Sequence, residues 1–155
     1  MNRAAGNADP LRETVDATWN VLEGIIDPCS RGAGAPVGLV SLGLVRDVSI
    51  SGAPGAAIVN VELGITEPGC MMQGIFSTTA EREIRALPGV AHVAVHIDHG
   101  YVWDPEDMAA EYRAHLATVR AKRRLQTERR LLRDVQPRRS QMQATETTPR
   151  RRSTT

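Results

Sequence analysis

The chain has 155 residues, with a hydrophobic content of 41% and an aromatic content of only 3%. This length favours one domain with a tail, and the low aromatic content requires an aliphatic core. Residues 1–112 carry 6 Arg and 15 acidic residues, a charge of −9, whereas residues 113–155 carry 13 basic and 3 acidic residues, a charge of +10. An acidic body followed by a basic tail bears on partners and solubility rather than on fold.

Two cellular destinations are disfavoured by the apolar pattern. Residues 1–14 lack the apolar core of a secretory signal, and no apolar run approaches the roughly 20 residues of a membrane helix. We therefore expect a cytoplasmic protein. In a reducing compartment, its two cysteines, Cys29 and Cys70, are expected to be thiols, metal ligands or packed side chains rather than a structural disulfide.

The first predicted element is a helix that begins at Asp9 and Pro10, a capping residue followed by proline at the first helical position. Its apolar face repeats at spacings of 4, 4, 3 and 4, in Leu11, Val15, Trp19, Leu22 and Ile26. Pro28 should end the helix at Asp27. Residues 28–42 are rich in Gly, Ala and Pro and predict a loop, with one helical turn near its end.

Alternating apolar residues predict three strands. The first two, residues 44–50 and 57–65, are joined by the turn-forming residues 51–56 and should form an antiparallel hairpin. Apolar residues from Met72 to Leu87 then repeat at helical spacing, Pro88 and Gly89 close that helix, and residues 90–97 form the third strand.

The last predicted helix begins at Asp104 and Pro105, and its apolar stripe ends near residue 120. The fold class is therefore α/β: a small α-β-β-α-β-α domain whose three-stranded mixed sheet is covered by helices. We expect residues 1–9 to be flexible, residues 10–120 to form the domain, and residues 121–155 to form a basic tail that is first helical and then disordered.

Cys70 is the most informative candidate, because it lies between the end of a strand and the start of a helix. Free backbone N–H groups and the positive helix dipole at such a junction favour a thiolate, the form that binds metal or attacks an electrophile. Pro68 and Gly69 would allow a tight turn that leaves one side open. A thiolate is a soft ligand suited to iron, zinc or a cluster. The alternative is a small, buried, apolar side chain.

Cys29 could approach Cys70, or it could be an ordinary loop thiol. Even together, two thiols cannot supply the four ligands usual for a cluster. A complete site would need a second subunit in a homodimer, a small thiol or a partner protein. A Cys70–His96 pair would instead suggest a thiol enzyme, but the sequence contains no nucleophile elbow, phosphate-binding loop or dinucleotide motif.

Five segments, VLEGIIDP, SLGLVRDVSI, VNVELGITEPGCMM, LPGVAHVAVHID and VWDPEDM, occur in an order that resembles a known family. They are similar to the iron–sulfur assembly domain of SufT- and PaaD-type proteins, the MIP-eighteen family, and the resemblance covers roughly residues 11–112. The resemblance implies a role in the maturation of iron–sulfur or related metalloproteins. Some branches of the family are linked to multicomponent oxygenases. It also implies that Cys70 is the functional thiol, supported by Asp27 and Thr66.

The chain departs from this family at several points. Cys29 replaces the acidic residue that commonly follows Asp-Pro, Ser41 stands where Asp is frequent, the intervening loop is longer, and a basic tail replaces the cysteine-rich extension of PaaD. These departures concern the client rather than the fold.

Four hypotheses for function follow. The first is a non-enzymatic assembly factor that holds labile iron or an iron–sulfur cluster, contacts the assembly machinery and acts on client apo-metalloproteins. The second is a metal-free adaptor that recruits those clients. The third is a thiol enzyme or sulfur carrier. The fourth, nucleic-acid binding by the basic tail, is disfavoured because no aromatic residue follows Tyr112; an acidic partner, or the acidic body itself, suits the tail better.

Overall fold

A computed structural model describes residues 9–67 and 69–145, with side chains described as far as residue 134. The fold class is confirmed as α/β, with a three-stranded mixed sheet and helices. The elements in chain order are α1 (Pro10–Gly24), α2 (Pro28–Gly32), β1 (Val45–Ala53), β2 (Ala56–Leu63), α3 (Gln73–Arg85), β3 (Val90–Ile97), a 3₁₀ turn (Pro105–Asp107) and α4 (Ala110–Thr145).

The central strand is β2, which pairs antiparallel with β1 and parallel with β3. Every second residue of β2 is buried, while the residues between are at least partly exposed. The helices α1 and α3 contact each other, and they pack against β1 and β3 respectively. The core therefore lies between one face of the sheet and these two helices. Its largest fully buried apolar side chains are Leu22, Leu39, Leu44, Val59, Val61, Leu63 and Ile84.

The hairpin is longer than predicted. The β1–β2 ladder continues to the pair Ala53–Ala56, so only Pro54 and Gly55 form the turn. The prediction of a turn over residues 51–56 was therefore too long. Small residues there resemble turn material in sequence, but the backbone hydrogen bonds of a ladder do not depend on side-chain size.

The loop after α1 contains a short helix that the sequence analysis did not place. Asp27 caps α2, because its Oδ2 accepts a hydrogen bond of 2.6 Å from the backbone N–H of Ser30. The helical turn expected near the loop end is present as a bond of 2.9 Å from the N–H of Leu42 to the carbonyl of Gly38. Ser41 donates its hydroxyl to Glu23 at 2.6 Å, so an Asp there would place two carboxylates in contact.

The last helix begins later than predicted. Asp104 and Asp107 form a capping box around a single 3₁₀ turn, and the chain then leaves helical geometry at Met108. This break buries the Met108 side chain in the core and lets the N–H of Ala109 donate to the carbonyl of Ser41 at 2.9 Å. The prediction of a continuous helix from residue 104 was wrong at this point because burial of Met108 interrupts it.

The chain divides into two compact units, the first ending at Leu116 and the second beginning at Ala117. Within the second unit, every described side chain from residue 120 to residue 134 is exposed. The predicted boundary at residue 120 remains a prediction. Disorder was expected over residues 137–155, but residues 137–145 belong to α4. Residues 146–155, and residues 1–8 of the predicted flexible N-terminus, lie outside the described residues.

Truncation of a core side chain should lower the free energy of unfolding. Leu22 is fully buried, so we expect Leu22→Ala to lower the free energy of unfolding by about 2–5 kcal/mol, measured by urea denaturation. The control is Val102→Ala, because Val102 is 86% exposed and should change that free energy by less than about 0.5 kcal/mol. Equal effects of the two substitutions would contradict this description of the core.

Candidate functional site

The loop that carries Cys70 leaves a firmly held strand end. The N–H of Gly64 donates to the carbonyl of Leu44 at 2.7 Å, and the N–H of Asp98 donates to the carbonyl of Leu63 at 2.8 Å. Ile65, the next residue, is buried. The strand end is thus tied to both neighbouring segments before the chain reaches the exposed Thr66.

Cys70 lies in a tight turn just before α3. Its N–H donates to the carbonyl of Glu67 at 3.1 Å, and its own carbonyl accepts from the N–H of Gln73 at 3.4 Å. Gly69 has a φ of +83°, a conformation that L side chains rarely adopt. This geometry agrees with the predicted location of Cys70 between strand and helix, whereas Pro68 lies outside the described residues.

The surface around the thiol is partly open. Cys70 is half-buried, Thr66 and Gly69 are exposed, and the side chain of Met71 is 92% exposed. The helix cap at Met72 makes no side-chain hydrogen bond. Among the described residues, the buried Oε1 of Gln73 has no hydrogen-bond partner.

Asp27 and Cys29 lie at the start of α2. The carboxylate of Asp27 is nearly buried and caps this helix. In turn, the hydroxyl of Ser30 donates a hydrogen bond of 2.6 Å to the backbone carbonyl of Asp27. Cys29 is exposed and directly follows Pro28, the first residue of α2. Asp27 thus has a structural task in α2, and its support of a metal site remains a prediction.

Both cysteines are free thiols. Within residues 9–67 and 69–145, no three His, Cys, Asp or Glu side chains are grouped so that they could hold a metal ion. The assignments of Cys70 and Cys29 as ligands, and of Thr66, Pro68 and Gly69 as the supporting loop, therefore remain predictions. No helix in that part of the chain is long and apolar enough to cross a membrane.

The sequence analysis missed a polar cluster that supports the end of β2. The guanidinium of Arg46 lies 3.8 Å from the ring centroid of Tyr101, donates to its hydroxyl at 3.0 Å, and lies 3.9 Å from Oδ1 of Asp107. The Tyr101 ring occupies the space where a side chain at Gly64 would be. Gly64 at a strand end was the available signal, because glycine there often marks close approach of another group.

This cluster shifts the pKa values of Tyr101 and Asp107 in opposite directions. Burial, followed by a hydrogen bond with Asp107, raises the pKa of Tyr101 above its ordinary value. The hydrogen bond from Tyr101, followed by the backbone hydrogen bond with Asp104, lowers the pKa of Asp107. The cluster therefore favours a neutral tyrosine beside an ionised carboxylate.

Adding one methyl group at Gly64 should disturb the cluster. An alanine Cβ would lie 2.5 Å from Cδ1 of Tyr101, so we expect Gly64→Ala to lower the free energy of unfolding by about 1–3 kcal/mol in urea denaturation. The cost should be smaller in a Tyr101→Ala background, which removes the clash. Gly24→Ala is the control, because a Cβ there meets no atom within 4 Å. An undiminished cost in the Tyr101→Ala background would exclude this steric explanation.

The lowered pKa of Asp107 predicts a pH dependence. Its ionised form is favoured in the folded protein, so the stabilisation is present above the ordinary carboxyl pKa and is lost as pH falls through the lower, folded value. Between about pH 5 and about pH 2, the urea midpoint should fall more for the wild type than for Asp107→Asn. Parallel curves for the two proteins would show that Asp107 is not responsible.

Comparison with known proteins identifies relatives of the folded part of the chain. The model of the family described as iron-sulfur cluster assembly protein matches residues 16–97, more than half of the chain. An iron-sulfur cluster carrier protein of Synechocystis is 32% identical over 84 residues. That alignment covers 54% of this chain and 21% of the relative, so the chain spans about a fifth of that protein's length.

Two solved structures share the fold. A domain of unknown function, DUF59, from Bacillus anthracis superposes with a TM-score of 0.57 at 25% identity, covering 72% of this chain and 98% of that one. A conserved hypothetical protein from Thermotoga maritima gives a TM-score of 0.51 at 31% identity, covering 64% of this chain and 90% of its own. With the family match over residues 16–97, these likenesses show that the chain belongs to the iron–sulfur cluster assembly protein family.

Proposed function

We propose that this protein is a non-enzymatic maturation factor that transiently holds iron or an iron–sulfur cluster through Cys70 and passes it to client apo-metalloproteins. Family membership supports the general role in cluster assembly. The observation that carries the finer proposal is the position of Cys70, a half-buried free thiol in a partly open turn beside a fixed strand end.

A shortage of protein ligands suits the transfer of a cluster. Clusters are usually held by four thiolates, and this chain has two cysteines in all. Iron bound to Cys70, alone or with Cys29, would keep positions open for ligands from another molecule. Client ligands could then replace the carrier's thiolate by stepwise exchange, without any catalytic acid or base.

The partly open surface around the loop supports contact with other proteins. Met71, almost fully exposed next to Cys70, offers a flexible apolar side chain that can adapt to different surfaces. We infer that the assembly machinery and client metalloproteins dock here, with oxygenase components as the first clients to examine. We place this exchange in the cytoplasm, where thiols stay reduced.

A metal-free adaptor is the second candidate. The observation that favours it is that the described residues hold no group of three potential ligands, so the chain supplies no closed metal site there. In this alternative, Cys70 packs against the turn and the surface alone recruits clients. The two candidates differ in whether iron binds at all.

Anaerobic reconstitution with iron and sulfide separates the two candidates. Wild type, Cys70→Ser and Cys29→Ser would be compared by visible absorption, bound iron, labile sulfide and mass in solution. We expect Cys70→Ser to lose the chromophore and at least about nine-tenths of the bound iron, because oxygen is a harder ligand than sulfur. Circular dichroism and urea midpoints should show that the variants remain folded.

The Cys29→Ser variant is the matched control. Retention of the chromophore would assign the site to Cys70 alone, whereas its loss would make the two thiols partners. If the folded wild type binds no iron, the maturation mechanism through Cys70 fails and the adaptor remains. If Cys70→Ser binds as much iron as the wild type, the loop thiol is not the ligand.

A further inference from the structure

Within residues 9–67 and 69–116, which the structure describes for the first unit, the helices leave one face of the sheet exposed. On β2, Val59, Val61 and Leu63 are buried beneath α1 and α3, whereas Ile58 and Glu62 point to the opposite face and are exposed. We define the open face by six residues: Asp47, Ile58, Asn60, Glu62, His92 and His96. Parallel sheets bury both faces, whereas antiparallel sheets often leave one in water. In this mixed sheet, the open face is a surface against which another element can pack.

The open face carries unpaired negative charge. Asp47 is the register partner of Glu62 across β1 and β2, and Glu62 is the partner of His96 across β2 and β3. Like charges directly opposite each other destabilise a strand pair. In the described part of the chain, neither carboxylate forms an ion pair, and together with Asn60 and His96 they line a groove of about 250 Å³. A cationic group placed there would relieve the repulsion.

The same face has an apolar component. Ile58 is 39% exposed and precedes Glu62 by four residues on the same face of β2. A matching partner surface therefore needs apolar side chains next to basic ones. The eight residues of β2 extend over about 26 Å, which sets the length of an element that could lie along the face.

Residues 117–134 of α4, here called the basic helix, have the matching properties. They carry seven basic and two acidic residues, and none of the seven forms an ion pair within the described residues. The helix also exposes Leu125, Leu131 and Leu132 by 55%, 60% and 67%. Its 18 residues extend over about 27 Å, close to the length of the strands.

Leu125 and Leu132 lie on one side of the basic helix and adjoin basic residues, whereas Leu131 projects about 120° away from Leu125. At 100° per residue, Leu132 projects within about 20° of Leu125. Arg129 and Arg133 project about 40° and about 80° from Leu125, on the side away from Leu132. In the structure, Arg129, Leu132 and Arg133 line one shallow groove. Apolar and basic groups are thus presented together, as the open face requires.

We propose that the open face of one copy binds the basic helix of a second copy. Leu125 and Leu132 would lie near Ile58, and Arg129 and Arg133 would lie beside Asp47 and Glu62. Each copy carries both surfaces, so two such contacts can close a symmetric dimer. The charge of −9 on residues 1–112 would attract the basic helix of the other copy before contact. The contact involves neither cysteine, so it does not depend on the proposed function.

Other occupants fit the basic helix less well. Glu128 projects within about 60° of Leu125, on the side of the leucines. Immersion of the leucines in a membrane would carry this carboxylate toward hydrocarbon, and a phosphate backbone would repel it while leaving the leucines wet. The open face contains the amide of Asn60 and the imidazoles of His92 and His96, which can instead donate hydrogen bonds to Glu128.

Sedimentation velocity of the full-length, metal-free protein tests the proposal. We expect a concentration-dependent dimer at about 0.05 M salt that weakens at about 0.5 M salt, where attraction between exposed charges is screened. The double variants Asp47→Lys with Glu62→Lys, and Arg129→Glu with Arg133→Glu, should each raise the dissociation constant at least about tenfold. The milder Asp47→Asn with Glu62→Gln serves if charge reversal disturbs folding.

Mixing the two charge-reversed variants gives the sharper test. They should form a heterodimer with each other. At one contact the reversed face meets the reversed helix, and at the other the unchanged face meets the unchanged helix, so opposite charges meet at both. Asp16→Lys, a reversal of an exposed carboxylate on α1, is the matched control and should leave the dimer of the wild type unchanged.

Three results would overturn the proposal. The first is a wild-type protein that stays monomeric at every concentration and both salt levels. The second is a dimer that the four charge reversals do not weaken. The third is a monomer that binds anionic phospholipid vesicles or duplex DNA through Arg129 and Arg133, which would assign the basic helix to those ligands instead.

Discussion

The structure depends on the burial of β2 along one face. Val59, Val61 and Leu63 exclude water beneath α1 and α3, and the neighbouring strands satisfy the backbone of β2 on both sides. A central strand cannot shift by one residue without exchanging its buried and exposed side chains. This constraint fixes the register of the sheet, and hence the position at which the chain leaves β2 for the Cys70 loop.

Local sequence signals were sufficient for most of the fold. The alternation in β2, the Asp-Pro start of α1 and the Pro-Gly stop after α3 depend on residues within a few positions of one another. They correctly predicted the order of the three strands and the three longer helices. The errors arose where tertiary contacts decide. Met108 leaves helical geometry to enter the core, and the ladder of β1 and β2 extends through small residues.

The candidate site was predictable to a smaller degree. Local spacing placed Cys70 correctly between β2 and α3, because the strand and helix patterns flank it directly. The cluster of Arg46, Tyr101 and Asp107 was not predicted, since its members are far apart in sequence and meet only when the sheet is complete. The capping role of Asp27 was likewise hidden, because α2 is too short to show a helical period.

The parallel pairing of β2 with β3 has a consequence for the order of folding. The β1–β2 hairpin closes over two residues, whereas the β2–β3 pair must close over residues 64–89. Because a shorter loop costs less entropy to close, we expect the hairpin to form first. The bond from Asp98 to Leu63, which fixes the start of the Cys70 loop, belongs to that later step. A chain that is still folding therefore lacks the ordered loop, and the thiol acquires its native setting only once the last strand has docked.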